Sequence, residues 1–177
     1  MLVISTSRLD LVATSTAHLD AELESTDRLA RMLDAIVPPG WPPGEYDRPA
    51  IEFFRGRLEE DPDAVGWYTW YAVRRRPAGE TAVVVGAGGY FGPPGPDGVV
   101  EVGYSIVESF RAQGFASELV EGLVARAFAT PGVVRVVAVT YPENVGSVRV
   151  LERCGFTLDG PGREPNSSMF ARTRPAA

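Results

Sequence analysis

The stretch that decides the fold reads EVGYSI over residues 101–106 and RAQGFASE over residues 111–118. The first part is typical of a strand. The second opens an amphipathic helix, predicted over Phe115–Ala129, with apolar side chains at helical spacing. A strand therefore leads through a short loop into a helix. Because helix N-termini present unpaired backbone N–H groups and a partial positive charge, this arrangement can bind phosphate or pyrophosphate.

The start of this helix is rich in small residues. Gly114 and Ala116 leave room for an anion to approach the backbone, Ser117 offers a hydroxyl donor, and Arg111 offers a charge. A strand–turn–helix in which small residues only permit close packing has the same spacing, so spacing alone leaves both interpretations open. The G-x-G-x-x-G fingerprint and the Walker sequence do not occur in this stretch, which disfavours ordinary dinucleotide and P-loop proteins.

Composition narrows the function classes further. The 177 residues are 45% hydrophobic and 23% charged, with a formal net charge of −6, which excludes a disordered or fibrous chain and disfavours a nucleic-acid partner. All seventeen basic residues are arginine, so lysine Schiff-base chemistry is excluded. His18 and Cys154 each occur alone, which excludes an intrachain disulfide and a multi-histidine site, and we expect no metal.

The sequence also bears on organisation and compartment. No apolar run reaches 18 residues and residues 1–10 lack a signal-peptide core, so we expect no membrane partner and a cytoplasmic location. Proline and glycine cluster at 38–44, 92–96 and 160–162, which predicts loops. The residues before the first cluster are too few for an independent core, so we expect a single domain over 1–177.

The predicted elements alternate in a way that defines the fold class. Strands are predicted at Arg8–Thr14, Trp67–Arg74, Thr81–Tyr90, Val99–Val107, Val133–Thr140, Phe156–Leu158 and Ser168–Arg172, and helices at Ser15–Leu23, Asp27–Ile36, Pro49–Glu59, Phe115–Ala129 and Asn144–Arg153. A hairpin is predicted across Arg75–Glu80. Strand alternation would put Trp67 with Tyr71 on one face and Tyr68 with Trp70 on the other. The fold class is α/β: a mixed, partly parallel twisted sheet of about six to seven strands flanked by helices.

The central motif resembles a known family. Arg111, Gly114 and Ala116 match the (Gln/Arg)-x-x-Gly-x-(Gly/Ala) signature of the GNAT superfamily, the acetyl-CoA-dependent N-acetyltransferases. The preceding residues 101–104 resemble the fourth strand of that family. The resemblance implies the acyl-CoA N-acyltransferase fold.

A second motif follows at the separation seen in that family. Asn144-x-x-Ser147, followed by LERCGF at 151–156, is similar to the form common in the ribosomal-protein N-terminal acetyltransferase (RimJ/RimL-like) branch. Arg8-Leu9, near the start of the chain, fits the same branch. The joint match covers residues 101–156 well and the remainder only by the order of elements.

The resemblance implies where acetyl-CoA, as co-substrate, would bind. The amides of Gln113, Gly114, Phe115, Ala116 and Ser117 would hold the pyrophosphate, with Arg111 adding charge. Ser105, Ile106 and Val107 would pair with the pantetheine arm, and Asn144 would hydrogen-bond the same region. Gly103 fits a bulge or a close backbone approach. The acetyl group would lie where the strand at 99–107 splays away from the next one.

The reaction implied is direct attack of an amine on the thioester, which needs a base and an acid. Glu101 is the candidate base, directly or through water, and otherwise a solvated strand carboxylate. Ser147 matches a position at which some members of this branch place the serine that protonates the thiolate, and otherwise caps or faces a helix. Tyr141 is the rival acid, and otherwise a surface residue.

The acceptor is left open between a peptide or protein N-terminus and a small amine, with Trp41 and Tyr46 expected to line its site. The leading function is an N-acetyltransferase. The alternatives are a non-catalytic acyl-CoA-binding sensor module and a nucleotide-binding α/β protein of another family. The sequence leaves a homodimer open.

Overall fold

The computed structural model describes residues 1–76 and 80–176, which form a nine-stranded sheet with helices packed on both faces. The strands are β1 (Val3–Ser5), β2 (Leu9–Ala13), β3 (Ala35–Ile36), β4 (Thr69–Arg74), β5 (Ala82–Tyr90), β6 (Val99–Ile106), β7 (Arg135–Thr140), β8 (Thr157–Pro161) and β9 (Ser168–Thr173). The helices are α1 (Thr16–Glu24), α2 (Thr26–Leu33), α3 (Arg48–Glu60), α4 (Phe115–Ala129) and α5 (Val145–Arg153).

The sheet is mixed, as the alternation of elements predicted. Its order is β1-β2-β4-β5-β6-β7-β9-β8, with β3 added beside β5. Neighbours are antiparallel except for the pairs β6–β7 and β3–β5, which are parallel. Helix α4 makes the crossover between β6 and β7, because parallel neighbours cannot be joined by a tight turn. The crossover sets the start of α4 beside the end of β6.

The described residues form nine strands rather than about six to seven, because the sequence pattern missed β1 and β3. The predicted helix over Asp27–Ile36 is wrong at its end. Helix α2 stops at Leu33, and Asp34 adopts a left-handed conformation with φ of 48°, which ends a helix. Ala35 and Ile36 then pair with Ala82 and Val83 of β5.

The predicted hairpin partners, β4 and β5, do pair antiparallel. Of their connection, expected across Arg75–Glu80, residues 77–79 lie outside the described residues.

The core lies on the two faces of the sheet. Leu119 and Leu123 of α4 pack on one face, and the helices α1 to α3 pack on the other. The expected alternation of the aromatic residues at 67–71 is wrong: Trp67 packs with Trp70 on the α4 face, whereas Tyr68 and Tyr71 lie on the opposite face. Strand β4 begins only at Thr69, so the first two aromatic residues do not follow strand alternation.

Among the described residues, no helix combines the length and the apolar character needed to cross a membrane.

Close backbone approach fixes β5 against its neighbours. A Cβ atom added at Gly89 would lie 1.9 Å from the carbonyl oxygen of Tyr68, and one at Gly86 would lie 2.5 Å from the carbonyl oxygen of Ser105. Only glycine fits there, because the obstructing atoms belong to backbone that is held in the sheet. The glycines of β5 therefore hold β4 and β6 at their observed distance.

Gly89→Ala should destabilise the protein by at least about 1–3 kcal/mol, the usual range for forced overpacking. Gly56→Ala is the matched control, since Gly56 lies inside α3 with open space around an added Cβ atom. The control should gain about 1 kcal/mol from the higher helix propensity of alanine. Urea unfolding monitored by circular dichroism measures both, and equal stability of the two variants would contradict the close approach.

Candidate active site

Strands β6 and β7 separate halfway along β6. They are paired only at Val99–Glu101 with Arg135–Val137, whereas β6 stays paired with β5 from Val102 to Ile106. The N–H of Val107 also bonds to Val85, on the β5 side. Because alternate residues of a strand turn their backbone groups to opposite edges, those of Tyr104 and Ile106 face the opening. The splay implied by the family resemblance is therefore present.

A groove of about 660 Å³ occupies this opening, between the end of β6, the start of α4 and helix α5. Nine of the residues that the sequence indicated line it: Ser105, Ile106, Arg111, Gly114, Phe115, Ala116, Ser117, Asn144 and Ser147. Val107 and Gln113 are not in its lining. Val107 is buried and bonded to β5, and the side chain of Gln113 bonds to the carbonyl oxygen of Ser109.

The start of α4 has the geometry of an anion site. Gly114 is its N-cap residue, with φ of 83°, and has no side chain with which to cap the first N–H groups. Gly114, Phe115, Ala116 and Ser117 line the groove, so the first turn of α4, whose N–H groups have no partner within the helix, lies beside it.

Charge around the groove suits phosphate. Arg149 and Arg153 of α5 line it together with Arg111, although the protein as a whole is acidic. The sequence analysis did not identify Arg149 and Arg153. Their spacing of one turn on the helix predicted over Asn144–Arg153 could have revealed them. The Nε of Arg111 donates to the carbonyl oxygen of Ile106, 3.1 Å away, which ties the loop to the end of β6.

Arg8 holds the loop from the far side. Its Nη1 donates to the carbonyl oxygen of Gln113 (3.0 Å), and its guanidinium stacks over the Phe115 ring at 4.5 Å. Glu118 fixes Arg8, accepting from its Nε at 2.8 Å and from its backbone N–H. Burial raises the pKa of Glu118, but hydrogen bonds from Thr6 and Arg8 outweigh it and bring that pKa below its usual value. The anion site is therefore held in place by an ion pair.

Ser147 contacts Tyr104, which the sequence analysis did not identify as a site residue. Its Oγ lies 3.0 Å from the hydroxyl of Tyr104, which also donates to the carbonyl oxygen of Ser147 at 3.2 Å. Burial is the main cause that raises the pKa of Tyr104 to about 12, so this hydroxyl remains protonated at neutral pH. Asn144 accepts from the N–H of Ser147 (3.1 Å) and so caps α5. No motif revealed this contact, because the two residues lie 43 positions apart.

A smaller cavity of about 200 Å³ adjoins the groove and shares Tyr104 and Ser105 with it. Its walls are mostly apolar and include the aromatic rings of Tyr46, Phe54 and Phe91, with Glu45 as the carboxylate among them. Gly103 belongs here: β5 and β6 keep a regular register at this position, so there is no bulge, and an added Cβ atom would meet the Phe91 ring at 3.1 Å.

The other sequence candidates lie outside both linings. The carboxylate of Glu101 forms an ion pair with Arg163. Tyr141 is 43% exposed at the end of β7. Trp41 stands behind the smaller cavity, where its indole N–H donates to Glu22 at 2.7 Å. Within residues 1–76 and 80–176, no three His, Cys, Asp or Glu side chains are grouped to hold a metal ion.

The fold and the groove belong to a known family of enzymes. Residues 8–157 match the model of the acetyltransferase (GNAT) domain, so the chain belongs to the GNAT family and is an N-acetyltransferase. A relative from Bacillus subtilis, named as the uncharacterized N-acetyltransferase YjdG, is 27% identical over 164 residues, which are 93% of this chain and 95% of the relative. GNAT enzymes use acetyl-CoA.

Solved structures share the whole fold. The ribosomal L7/L12 alpha-N-protein acetyltransferase RimL in complex with coenzyme A superposes with a TM-score of 0.66 at 20% identity, over 97% of this chain and 98% of that one. The ribosomal-protein-S5-alanine acetyltransferase from Vibrio fischeri gives 0.66 at 16% identity, over 98% and 97%. The fold that the resemblance implied is thus confirmed, and ribosomal-protein acetyltransferases are among its neighbours.

Ala116→Glu should weaken coenzyme A binding at least about tenfold, since it puts a carboxylate into the anion site. A glutamate in the first turn of a helix is compatible with folding. Ala125→Glu, an equal charge change on the exposed side of the same helix, should bind as the wild type does. Calorimetric titration with coenzyme A measures both; unchanged affinity in a folded Ala116→Glu protein would remove the anion site.

Glu22 is a buried carboxyl group, 8% exposed, and makes the stability of the protein depend on pH. Burial raises the pKa of its carboxyl above the usual value of a glutamate, despite hydrogen bonds from Tyr71, Tyr46 and Trp41. The folded state therefore holds the proton more tightly than the unfolded state, and the free energy of unfolding falls as pH rises between the two pKa values. Glu22→Gln should lose this fall, which urea unfolding at a series of pH values would show. An identical pH profile in wild type and variant would contradict the shift.

Proposed function

We propose that the protein transfers the acetyl group of acetyl-CoA to a primary amine, with the co-substrate in the groove and the amine in the smaller cavity. The observation that carries the proposal is the junction of the two cavities at Tyr104 and Ser105, beside the free edge of β6. An acyl donor and an acceptor that enter from opposite sides would meet there.

The groove suits coenzyme A in charge and in shape. The N–H groups at the start of α4 and the guanidiniums of Arg149 and Arg153 suit its phosphates. The backbone groups of Tyr104 and Ile106 at the free edge of β6 can pair with the amide-containing pantetheine arm as a further strand would.

The smaller cavity suits an amine that carries an apolar or aromatic group. Its aromatic faces and the carboxylate of Glu45 attract an ammonium ion, and its walls accept hydrocarbon. Phe91 and Phe53, both about half exposed, extend the apolar surface at its rim through ring contacts with Phe54. A small arylalkylamine and the N-terminus of a peptide with an apolar first residue share this chemistry.

In the reaction, the ammonium loses a proton and the amine nitrogen attacks the thioester carbonyl carbon. A C–N bond forms, the C–S bond breaks, and one proton is released overall: the nitrogen loses two, of which the second replaces the proton that the donor gives to the thiolate. We assign that proton to Ser147, whose Oγ lies in the groove against the Tyr104 hydroxyl. Backbone N–H groups at the free edge of β6 can stabilise the oxyanion. For the amine's proton we propose Glu45, acting through water, because it lines the cavity and Glu101 does not.

Turnover of acetyl-CoA against a panel of arylalkylamines, aliphatic amines and short peptides tests the proposal. We expect free thiol to appear together with an N-acetylated product identified by mass spectrometry. Tight binding of acetyl-CoA with no acetylated product across the panel would favour the sensor module instead.

Ser147→Ala should lower kcat by about 10²–10⁴-fold, the usual contribution of a positioned proton donor. The affinity for coenzyme A should stay within about twofold, because the cap from Asn144 uses the backbone N–H and survives the change. Tyr141→Phe, which alters the exposed rival, should keep the wild-type kcat. Steady-state kinetics measures both, and a normal kcat in folded Ser147→Ala would exclude the serine as the donor.

A further inference from the structure

A buried carboxylate stands behind the smaller cavity. Glu22 of α1 accepts hydrogen bonds from the Tyr71 hydroxyl at 2.6 Å, the Trp41 indole N–H at 2.7 Å and the Tyr46 hydroxyl at 2.8 Å. Tyr46 and Tyr71 are 7% and 0% exposed. No sequence motif marks this cluster, because its members come from a helix, a loop and a strand.

Two of the three donors belong to one loop. Residues 37–47, between β3 and α3, form an irregular segment rich in proline and glycine, which we call the 37–47 loop. The Trp41 ring lies 5.9 Å from both the Tyr46 and the Tyr71 rings, centroid to centroid. Glu22 thus links both aromatic residues of the loop to α1, and through Tyr71 to β4.

The same loop forms the wall between the acceptor cavity and the end of β6. Glu45 and Tyr46 line the cavity, and an added Cβ atom at Gly44 would meet the Oγ of Ser105 at 3.0 Å. An added Cβ atom at Gly40 would lie in ordinary van der Waals contact with Val107, at 3.8 Å. Movement of this loop would therefore move the cavity wall relative to the junction at Ser105.

Stability alone does not account for Glu22. A buried carboxylate held by neutral donors carries a desolvation penalty, and apolar replacement of buried charged groups is often neutral or stabilising. Three convergent hydrogen bonds instead fix the orientation of the rings that donate them.

We infer that Glu22 is a positioning residue that sets the affinity for the acceptor amine, by holding Trp41 and Tyr46 so that the 37–47 loop walls the cavity. The identity of the ligand in this inference rests on the proposed function. The effect of Glu22 on the ordering of the 37–47 loop does not depend on that function. Glu22 itself lines neither cavity and acts only through the residues whose hydrogen bonds it accepts.

The test compares Glu22→Leu, Glu22→Gln and the control Glu24→Gln, an exposed carboxylate of the same helix that pairs with Arg28. Hydrogen exchange of the 37–47 loop should become at least about tenfold faster in Glu22→Leu and remain near wild type in Glu22→Gln, whose amide can still bond the hydroxyls and the indole. The control should not change. Unaltered loop exchange in folded Glu22→Leu would overturn the inference.

Kinetics with 2-phenylethylamine as the probe acceptor supply the second measurement. Glu22→Leu should raise the KM for the amine at least about tenfold, whereas the KM of Glu22→Gln should stay close to that of the wild type. The affinity of both variants for coenzyme A, measured by calorimetry, should stay within about twofold of the wild-type value. An equal loss of coenzyme A affinity would mean general damage and overturn the inference. If no amine is turned over by the wild type but Glu22→Leu loosens the loop, the proposed function fails while the positioning of the loop stands.

Discussion

The parting of β6 from β7 after Glu101 is the constraint on which the rest of the site depends. Beyond that point the sheet continues only on the β5 side, and the edge of β6 becomes available to a ligand. The crossover through α4 then places a helix N-terminus beside that edge, and α5 returns along its other side. One break in strand pairing thus creates the free backbone groups, the anion site and the groove.

The free edge of β6 can bind a ligand only if the strand is held in a fixed position. Strand β6 is fixed from the β5 side, where Gly86 and Gly88 let the two backbones approach closely. On the same side, the 37–47 loop lies against Ser105, so the exposed edge is backed by packed protein. Donors held in this way need no reorganisation when charge develops on a substrate oxygen, which is the usual basis of electrostatic stabilisation of an oxyanion.

How much of this could be predicted depends on how local each feature is. Helix α4 was predicted with its observed bounds, because its apolar stripe and the stop at 130–132 are continuous in the sequence. Most of the groove follows from the same two motifs. Of the smaller cavity, the sequence analysis named Tyr46, whereas the cluster around Glu22 could not be predicted, since Glu22 and Tyr71 lie 49 positions apart and meet only through tertiary packing. The face assignment at 67–71 failed similarly, because the pattern does not show where β4 begins.

Two largely buried carboxylates stabilise the two sides of the site through different kinds of hydrogen-bond partner. Glu118 is held by Arg8, so its charge is neutralised beside the loop that suits phosphate, where an uncompensated negative charge would oppose the ligand. Glu22 is held by the hydroxyls of Tyr46 and Tyr71 and by the indole of Trp41, and burial raises its pKa, so the carboxylate that lines the smaller cavity is that of Glu45. In the proposed reaction the acceptor arrives as an ammonium ion and leaves as a neutral amide. Negative potential on that side therefore favours the substrate and not the product, and the acetylation itself removes the attraction that held the amine.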